Sequence, residues 1–105
     1  MARYKRRVKD ARGNSYDKRA RKRWLLGQVA DRDLGMAPYG GDGTTVPCVH
    51  CLEPLTFETV ESDRIEPGGT YARTNVQPSC RHCNASRGDN PNWVPPRLRP
   101  GFGVV

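Results

Sequence analysis

Two Cys-x-x-Cys pairs constrain the fold of this chain more than any other feature of its sequence. They are Cys48/Cys51 and Cys80/Cys83, and 28 residues separate them. Only 18 of the 105 residues are Leu, Ile, Val or Phe, a content typical of disordered chains when the net charge is high. A chain of this length can form one small domain with a tail or two, but not two cores or a large cofactor-binding enzyme. We therefore expect the cysteines to stabilise a fold that apolar burial alone would not.

Each cysteine pair places two thiols on one tight turn, at the spacing with which tetrahedral zinc is bound. We expect one structural zinc per chain, held by all four cysteines, and its binding energy would contribute to folding. Disulfides are the main alternative, but we expect no export signal and therefore a reducing compartment. Redox chemistry needs one pair rather than two. A rubredoxin-like iron site usually has glycine after each second cysteine, where this chain has Leu52 and Asn84.

The positive charge is concentrated at the N-terminus. Residues 1–23 contain eleven Lys or Arg and two acids, whereas residues 24–105 contain seven Arg and nine acids. So dense a block of one sign repels itself unless a polyanion neutralises it, which makes nucleic acid the expected partner. A solvated tail and an anionic membrane surface are the alternatives, and no apolar helix face supports the second. The cations expected to contact phosphate are Arg3, Lys5, Arg6, Arg7, Lys18, Arg19, Arg21, Lys22, Arg23, Arg73 and Arg87.

Glycine, proline and asparagine divide the chain into four predicted parts. These are a basic N-terminal arm and helix (1–34), a linker (35–47), a compact domain (48–88) and a Pro/Gly-rich C-terminal tail (89–105). We expect the tail to be an extended strap or a loose end. No apolar run is long enough to span a membrane, so we expect a cytoplasmic protein without a membrane partner.

Local patterns predict a few secondary-structure elements within these parts. Residues 15 to about 30 favour a helix in which Trp24 is a packing anchor. Residues 57–65 and 74–77 suit two strands, and residues 83–87 suit a short helix that ends at Gly88.

A string of polar residues and prolines runs through the compact domain. It reads Asp63-Arg64-Ile65-Glu66-Pro67, Gly68-Gly69, Asn75-Val76-Gln77-Pro78-Ser79-Cys80 and Cys83-Asn84, with Arg87 beyond. This string resembles the HNH endonucleases of the ββα-metal, or His-Me finger, type, with two zinc knuckles. Their typical string is Asp-His-Ile-x-Pro, a Gly-Gly loop, Asn-Leu-x-Pro-x-Cys and x-x-Cys-Asn. The resemblance covers residues 48–88. Within the family, the chain is similar in particular to small HNH proteins encoded by phages of actinobacteria.

The resemblance implies a small α+β protein whose zinc-stabilised ββα-metal (HNH) core cuts or nicks double-stranded DNA. Asp63 and Asn84 would bind a catalytic Mg, Mn or Ni ion, and Asn75 would hold the loop that orients the general base. Two protein ligands leave positions open for a scissile phosphate and water. The phage setting implies DNA processing or packaging in the cytoplasm of a bacterial host, with a terminase as a candidate partner.

Arg64 stands where the family has its general-base histidine. An arginine stays protonated and has no acceptor, so it cannot activate water. Either another base acts, or Arg64 stabilises the transition state, or the site is inactive and the module only binds DNA. Other candidate bases are His50, His82, Tyr71 and Glu66, or the metal acts alone. The rival functions are a non-catalytic zinc-knuckle accessory protein that binds nucleic acid and a zinc protein that prefers structured RNA.

Overall fold

The computed structural model describes residues 14–103, and its first element is helix α1, Ser15–Leu25. The helix begins with a capping box, in which Asn14 Oδ1 accepts from the Asp17 N–H at 2.9 Å and Asp17 accepts from the Asn14 N–H. It ends earlier than the expected position near residue 30, because Gly27 adopts a φ of +83°. A Cβ on Gly27 would lie 2.6 Å from the Gly41 carbonyl oxygen, so a close backbone contact requires glycine here.

Two small antiparallel sheets and a second helix follow α1. The strands are β1 (Val46–Pro47) paired with β2 (Pro54–Leu55), and β3 (Glu61–Arg64) paired with β4 (Val76–Ser79). β3 starts later than expected because the preceding residues form a turn, in which the Val60 N–H donates to the Thr56 carbonyl at 2.8 Å. A 3-10 helix, Arg73–Asn75, occupies the expected start of β4. β4 leads into helix α2 (Arg81–Arg87), whose C-cap is the expected Gly88.

The core is small and includes three of the four cysteines. The end of α1 contributes Trp24, Leu25 and Leu26, all of them buried. The Trp24 Nε1–H donates to the Gly35 carbonyl at 2.9 Å, so this tryptophan is a packing anchor, as expected. The other buried core residues are Val46, Cys48, Leu55, Val60, Val76, Cys80 and Cys83. The described part of the chain is therefore a small α+β fold in which the cysteine turns belong to the core.

The C-terminal segment lies against the turn that carries the first cysteine pair. The Arg97 N–H donates to the His50 carbonyl at 2.9 Å, and its Nε–H donates to the Val49 carbonyl at 2.5 Å. The Trp93 ring meets the His50 ring edge-on, with the centroids 5.0 Å apart. A 3-10 helix, Pro96–Leu98, completes the segment. These contacts are those of a strap rather than a loose end.

No helix within residues 14–103 has the length and apolar character needed to cross a membrane.

Candidate functional site

The four cysteines form one cluster. Their sulfur atoms all lie within 4.8 Å of one another, and none of the four is in a disulfide. Cys51 Sγ and Cys80 Sγ are 3.9 Å apart, close to the roughly 3.8 Å expected across a tetrahedral site with zinc–sulfur bonds of about 2.3 Å. The geometry is therefore compatible with a structural zinc ion.

The local folds of the two turns explain how the sulfurs converge. The first pair lies between β1 and β2, and the second begins at the N-cap of α2. Backbone N–H groups donate to sulfur in both turns: His50 and Cys80 each to Cys48 Sγ at 3.4 Å, and Cys83 to Cys80 Sγ at 3.3 Å. Such donors stabilise thiolates, the form in which cysteine binds a metal ion.

The thiol pKa values reflect the crowding in this cluster. Burial raises the pKa of Cys48, but the N–H groups of Cys51, Cys80 and His50 outweigh it and leave the pKa below its usual range. Burial raises the pKa of Cys51 and, more strongly, that of Cys83, and the neighbouring sulfurs raise both further. A divalent cation bound by the four sulfurs would lower these raised pKa values, because its positive charge stabilises neighbouring thiolates.

A cleft of about 490 Å³ lies beside the cluster and collects most of the residues predicted to act in catalysis. Asp63, Arg64 and Asn84 all line it, whereas Asn75 does not. The lining residues are Asp63, Arg64, Pro67, Gly68, Tyr71, Asn84, Arg87, Gly88 and Asp89. The pairing of β3 with β4 and the start of α2 at Cys80 bring these separate segments together.

Asp63 is the buried charge of the cleft, with a side chain that is 2% exposed. Its Oδ2 lies 2.6 Å from His50 Nε2, and its Oδ1 accepts from Arg87 Nη1 at 2.6 Å. Each carboxylate oxygen has a second lone pair, so two hydrogen bonds do not exhaust its capacity as an acceptor. The Asp63 carboxylate, held by His50 and Arg87, therefore keeps lone pairs with which it could ligate a cation.

Arg87 ties α2 to the end of β3. Besides its bond to Asp63, it donates from Nη1 to the Arg64 carbonyl at 2.8 Å and from Nη2 to the Ile65 carbonyl at 2.7 Å. This arginine was predicted to contact phosphate, and its guanidinium makes these three intramolecular contacts while it lines the cleft.

Asn84 lines the cleft and makes a side-chain hydrogen bond. Its Nδ2 donates to Glu61 Oε1 at 3.0 Å, and because a carboxylate only accepts, this contact assigns the amide orientation. Oδ1 is then the atom available to a cation. Asp63 and Asn84 thus each have an oxygen that could ligate a hard cation such as Mg²⁺ or Mn²⁺, which completes its shell with water and phosphate.

Asn75 holds the loop between β3 and β4. Its Oδ1 accepts from the Glu66 N–H at 2.9 Å, and its Nδ2 donates to the carbonyls of Thr70 at 2.8 Å and Glu66 at 3.3 Å. A Cβ on Gly69 would lie 2.7 Å from Asn75 Nδ2, so the second glycine of the loop leaves room for this side chain. The geometry is that of a loop-holding residue.

Arg64 lies in the cleft with its guanidinium fixed on one side. Nη1 donates to the Gly69 carbonyl at 3.0 Å, and the guanidinium carbon lies 4.8 Å from the centroid of the Tyr71 ring. The loop that Asn75 holds thus also orients Arg64.

The candidate bases predicted from sequence are dispersed. His50 is buried behind Asp63, His82 lines a different hollow beside Cys80, and Glu66 is exposed outside the cleft. Among the four, Tyr71 is the residue that lines the cleft. Asp89 was not predicted from the sequence, and with Asp63 it gives the cleft two lining carboxylates. No motif marks Asp89, and its position directly after the C-cap Gly88 is the one available signal.

The described cations of α1 fall into two groups. Arg21 is buried, with Nε donating to the Tyr71 carbonyl at 3.1 Å, and Lys22 Nζ donates to the Phe57 carbonyl at 3.3 Å. Lys18 and Arg19 are exposed, and Arg23 is half-buried. The remaining arm cations, Arg3, Lys5, Arg6 and Arg7, lie outside the described residues.

A second groove, of about 180 Å³, runs between α1 and β3. Lys18, Arg21 and Lys22 line it from the helix, and Tyr71 and Asn84 line both this groove and the cleft. Arg73 lies elsewhere: its Nε is 3.6 Å from Asp31 and its guanidinium lies over the Trp24 ring.

Comparison with known proteins gives one partial similarity. The CRISPR-associated endonuclease Cas9 of Corynebacterium diphtheriae is 40% identical to this chain over 48 residues. The match covers 42% of this chain, which spans 4% of the length of that protein. No protein-family model matches, and no solved structure gives a significant match. The similarity supports a nuclease-like resemblance over a segment of the chain.

Proposed function

We propose that this protein is a metal-dependent DNA endonuclease or nickase of the HNH type. One observation carries the proposal: Asp63, Arg64, Asn84 and Arg87 converge in one cleft beside a four-cysteine cluster. In this proposal β3, β4 and α2 form the ββα-metal core, and the cysteine cluster binds one structural zinc. The partial similarity to an endonuclease supports the same assignment.

Asp63 and Asn84 would hold a divalent cation through carboxylate and amide oxygens. When bound, the cation would neutralise the charge that develops on the scissile phosphate and lower the pKa of water. Arg64, fixed by Gly69 and Tyr71, would donate to a phosphate oxygen with the N–H groups that Gly69 does not occupy. Its role is then transition-state stabilisation.

Asp89 is the proposed proton acceptor. It lines the cleft together with the buried Asp63, and an exposed carboxylate can accept a proton from attacking water. Neither the buried His50 nor His82, which lines a different hollow, lines this cleft.

Double-stranded DNA is the proposed substrate. The groove beside α1 adjoins the cleft through Tyr71 and Asn84, so a backbone phosphate next to the scissile one would lie near Lys18. The arm that precedes α1 adds further cations, consistent with sequence-independent contacts to phosphate. Phage DNA processing beside a terminase, in the host cytoplasm, is the proposed setting on family resemblance alone.

The test is relaxation of supercoiled plasmid with Mg²⁺, Mn²⁺ or Ni²⁺, comparing the wild type with Asp63→Ala at equal zinc content. Metal-dependent nicking that disappears in Asp63→Ala is expected. Equal nicking by both proteins, or none by the wild type, would overturn the proposal.

A non-catalytic DNA-binding accessory protein is the second candidate. It is favoured by Arg64 in the usual base position and by the two hydrogen bonds that already engage Asp63. DNA binding without cleavage under every metal condition would select it, and preference for structured RNA over duplex DNA would select an RNA partner instead.

A further inference from the structure

His50 joins the cysteine cluster to the cleft. It lies between Cys48 and Cys51 in the first cysteine turn, and its side chain is 6% exposed. Its Nε2 lies 2.6 Å from Asp63 Oδ2. Asp63 lines the cleft and His50 does not, so the imidazole contacts the carboxylate from the protein interior.

The surroundings of His50 fix it on this one partner. Its other ring nitrogen, Nδ1, is buried without a hydrogen bond, so within residues 14–103 Asp63 is the polar partner of the ring. His50 is one of two side chains that hydrogen-bond to the buried Asp63 carboxylate, and an apolar side chain at this position would leave Oδ2 without its partner.

The C-terminal segment holds the ring and its backbone. Trp93 meets the ring edge-on, and the Arg99 guanidinium lies 5.5 Å from the centroid of Trp93. Arg97 donates to the carbonyls of His50 and Val49. The segment therefore restrains both the turn and the imidazole that extends from it.

We propose that His50 is a positioning residue for Asp63 and that the segment from Trp93 to Arg99 keeps it in place. The inference rests on the proposed function, in which Asp63 ligates a divalent cation. His50 on Oδ2 and Arg87 on Oδ1 hold the carboxylate from two sides, so its orientation is set before a cation binds. Loss of such an outer partner typically weakens metal binding by about 10- to 100-fold.

The test is titration of full-length, zinc-loaded protein with Mn²⁺, with free Mn²⁺ followed by electron paramagnetic resonance. His50→Ala is expected to weaken Mn²⁺ binding by about 10- to 100-fold while retaining one zinc per chain. His50→Gln should recover part of the loss, because its amide N–H can donate to Asp63. Trp93→Ala should weaken binding in the same direction, and Trp93→Phe should weaken it less.

His82→Ala is the matched control. His82 has the same position in the second cysteine pair, but it is exposed and lines a different hollow. We expect it to bind Mn²⁺ like the wild type. If His50→Ala loses zinc, the Mn²⁺ affinity of Trp93→Ala tests the positioning role instead, because Trp93 lies outside the cysteine turns.

The two proposals fail in different ways. A wild type that neither binds Mn²⁺ nor nicks DNA overturns the proposed function and leaves His50 with a structural role. A wild type that binds Mn²⁺, with unchanged affinity in zinc-loaded His50→Ala and Trp93→Ala, overturns the positioning role alone.

Discussion

At the scale of single residues, an arginine at position 64, where the HNH enzymes that the chain resembles have a histidine, limits the chemistry that the cleft can perform. An imidazole at this position would accept a proton, whereas a guanidinium can only donate hydrogen bonds. The structure gives this guanidinium a carbonyl partner in Gly69 and an aromatic partner in Tyr71, which fix its place in the cleft. In the proposed reaction, another residue of the cleft must then accept the proton.

Arg64→His tests whether the arginine assists or blocks the reaction. We expect nicking to fall by about 100-fold, the usual cost of removing a preorganised donor from a developing negative charge. Plasmid nicking rates at equal zinc content measure the effect, with Arg81→Ala as the control, because Arg81 is exposed and does not line the cleft. A faster Arg64→His protein would show that the arginine obstructs a histidine-type reaction.

Asp89→Asn tests the proposed proton acceptor. The amide cannot take a proton at working pH, so nicking should fall by about two to four orders of magnitude, while Asp89→Glu keeps part of the rate. DNA affinity should not decrease, because the change removes a negative charge from the cleft. Asp33→Asn, a similar change at an exposed residue outside the cleft, is the control. Full activity in Asp89→Asn would remove Asp89 from the mechanism.

At the scale of elements, the Asn75 side chain is one of those that hold the loop between β3 and β4. Asn75→Ala removes three hydrogen bonds to backbone groups of Glu66 and Thr70. At about 0.5–1.5 kcal/mol for each bond, with partial compensation by water, the free energy of unfolding should fall by about 2 kcal/mol. Urea unfolding of zinc-loaded protein measures this, and the exposed neighbour Thr74, as Thr74→Ala, is the control. A change below about 0.5 kcal/mol would mean that the loop is held by other contacts.

The sequence predicts those elements that depend on neighbouring residues. The cysteine turns and the end of α2 at Gly88 follow from short spacings, and the structure contains both. The end of α1 has a local signal in Gly27, which follows the C-cap Leu26 in the left-handed conformation while the Gln28 N–H donates to the Arg23 carbonyl. The close approach of Gly27 to Gly41 is what no local pattern contains. The contact between Trp93 and His50 likewise joins residues far apart in the chain. The Pro/Gly-rich composition therefore predicts an extended C-terminal tail but does not predict which part of the fold the tail packs against.

At the scale of the whole molecule, the cysteine cluster holds together a core with few large apolar side chains. Three cysteines are buried among seven other core residues. Removing bound metal with a strong chelator at neutral pH should therefore abolish cooperative thermal unfolding, because the metal's binding energy is part of the folding energy. Metal content and circular dichroism, measured on the same sample, check this. A metal-free protein that still unfolds cooperatively at the same temperature would contradict a structural zinc.

Positive charge is concentrated in residues 1–23 of the sequence, and the salt dependence of DNA binding tests how many of these cations contact phosphate in the proposed complex. Each phosphate contact contributes roughly 0.9 to the slope of log binding constant against log salt concentration. The double variant Lys18→Ala/Arg19→Ala removes two exposed cations of α1, so the slope should decrease in magnitude by about two. Arg32→Ala removes an equally exposed cation from a loop beyond the helix and should leave the slope unchanged. Equal slopes in all three proteins would restrict the DNA contacts to the arm that precedes α1, or to the cleft itself.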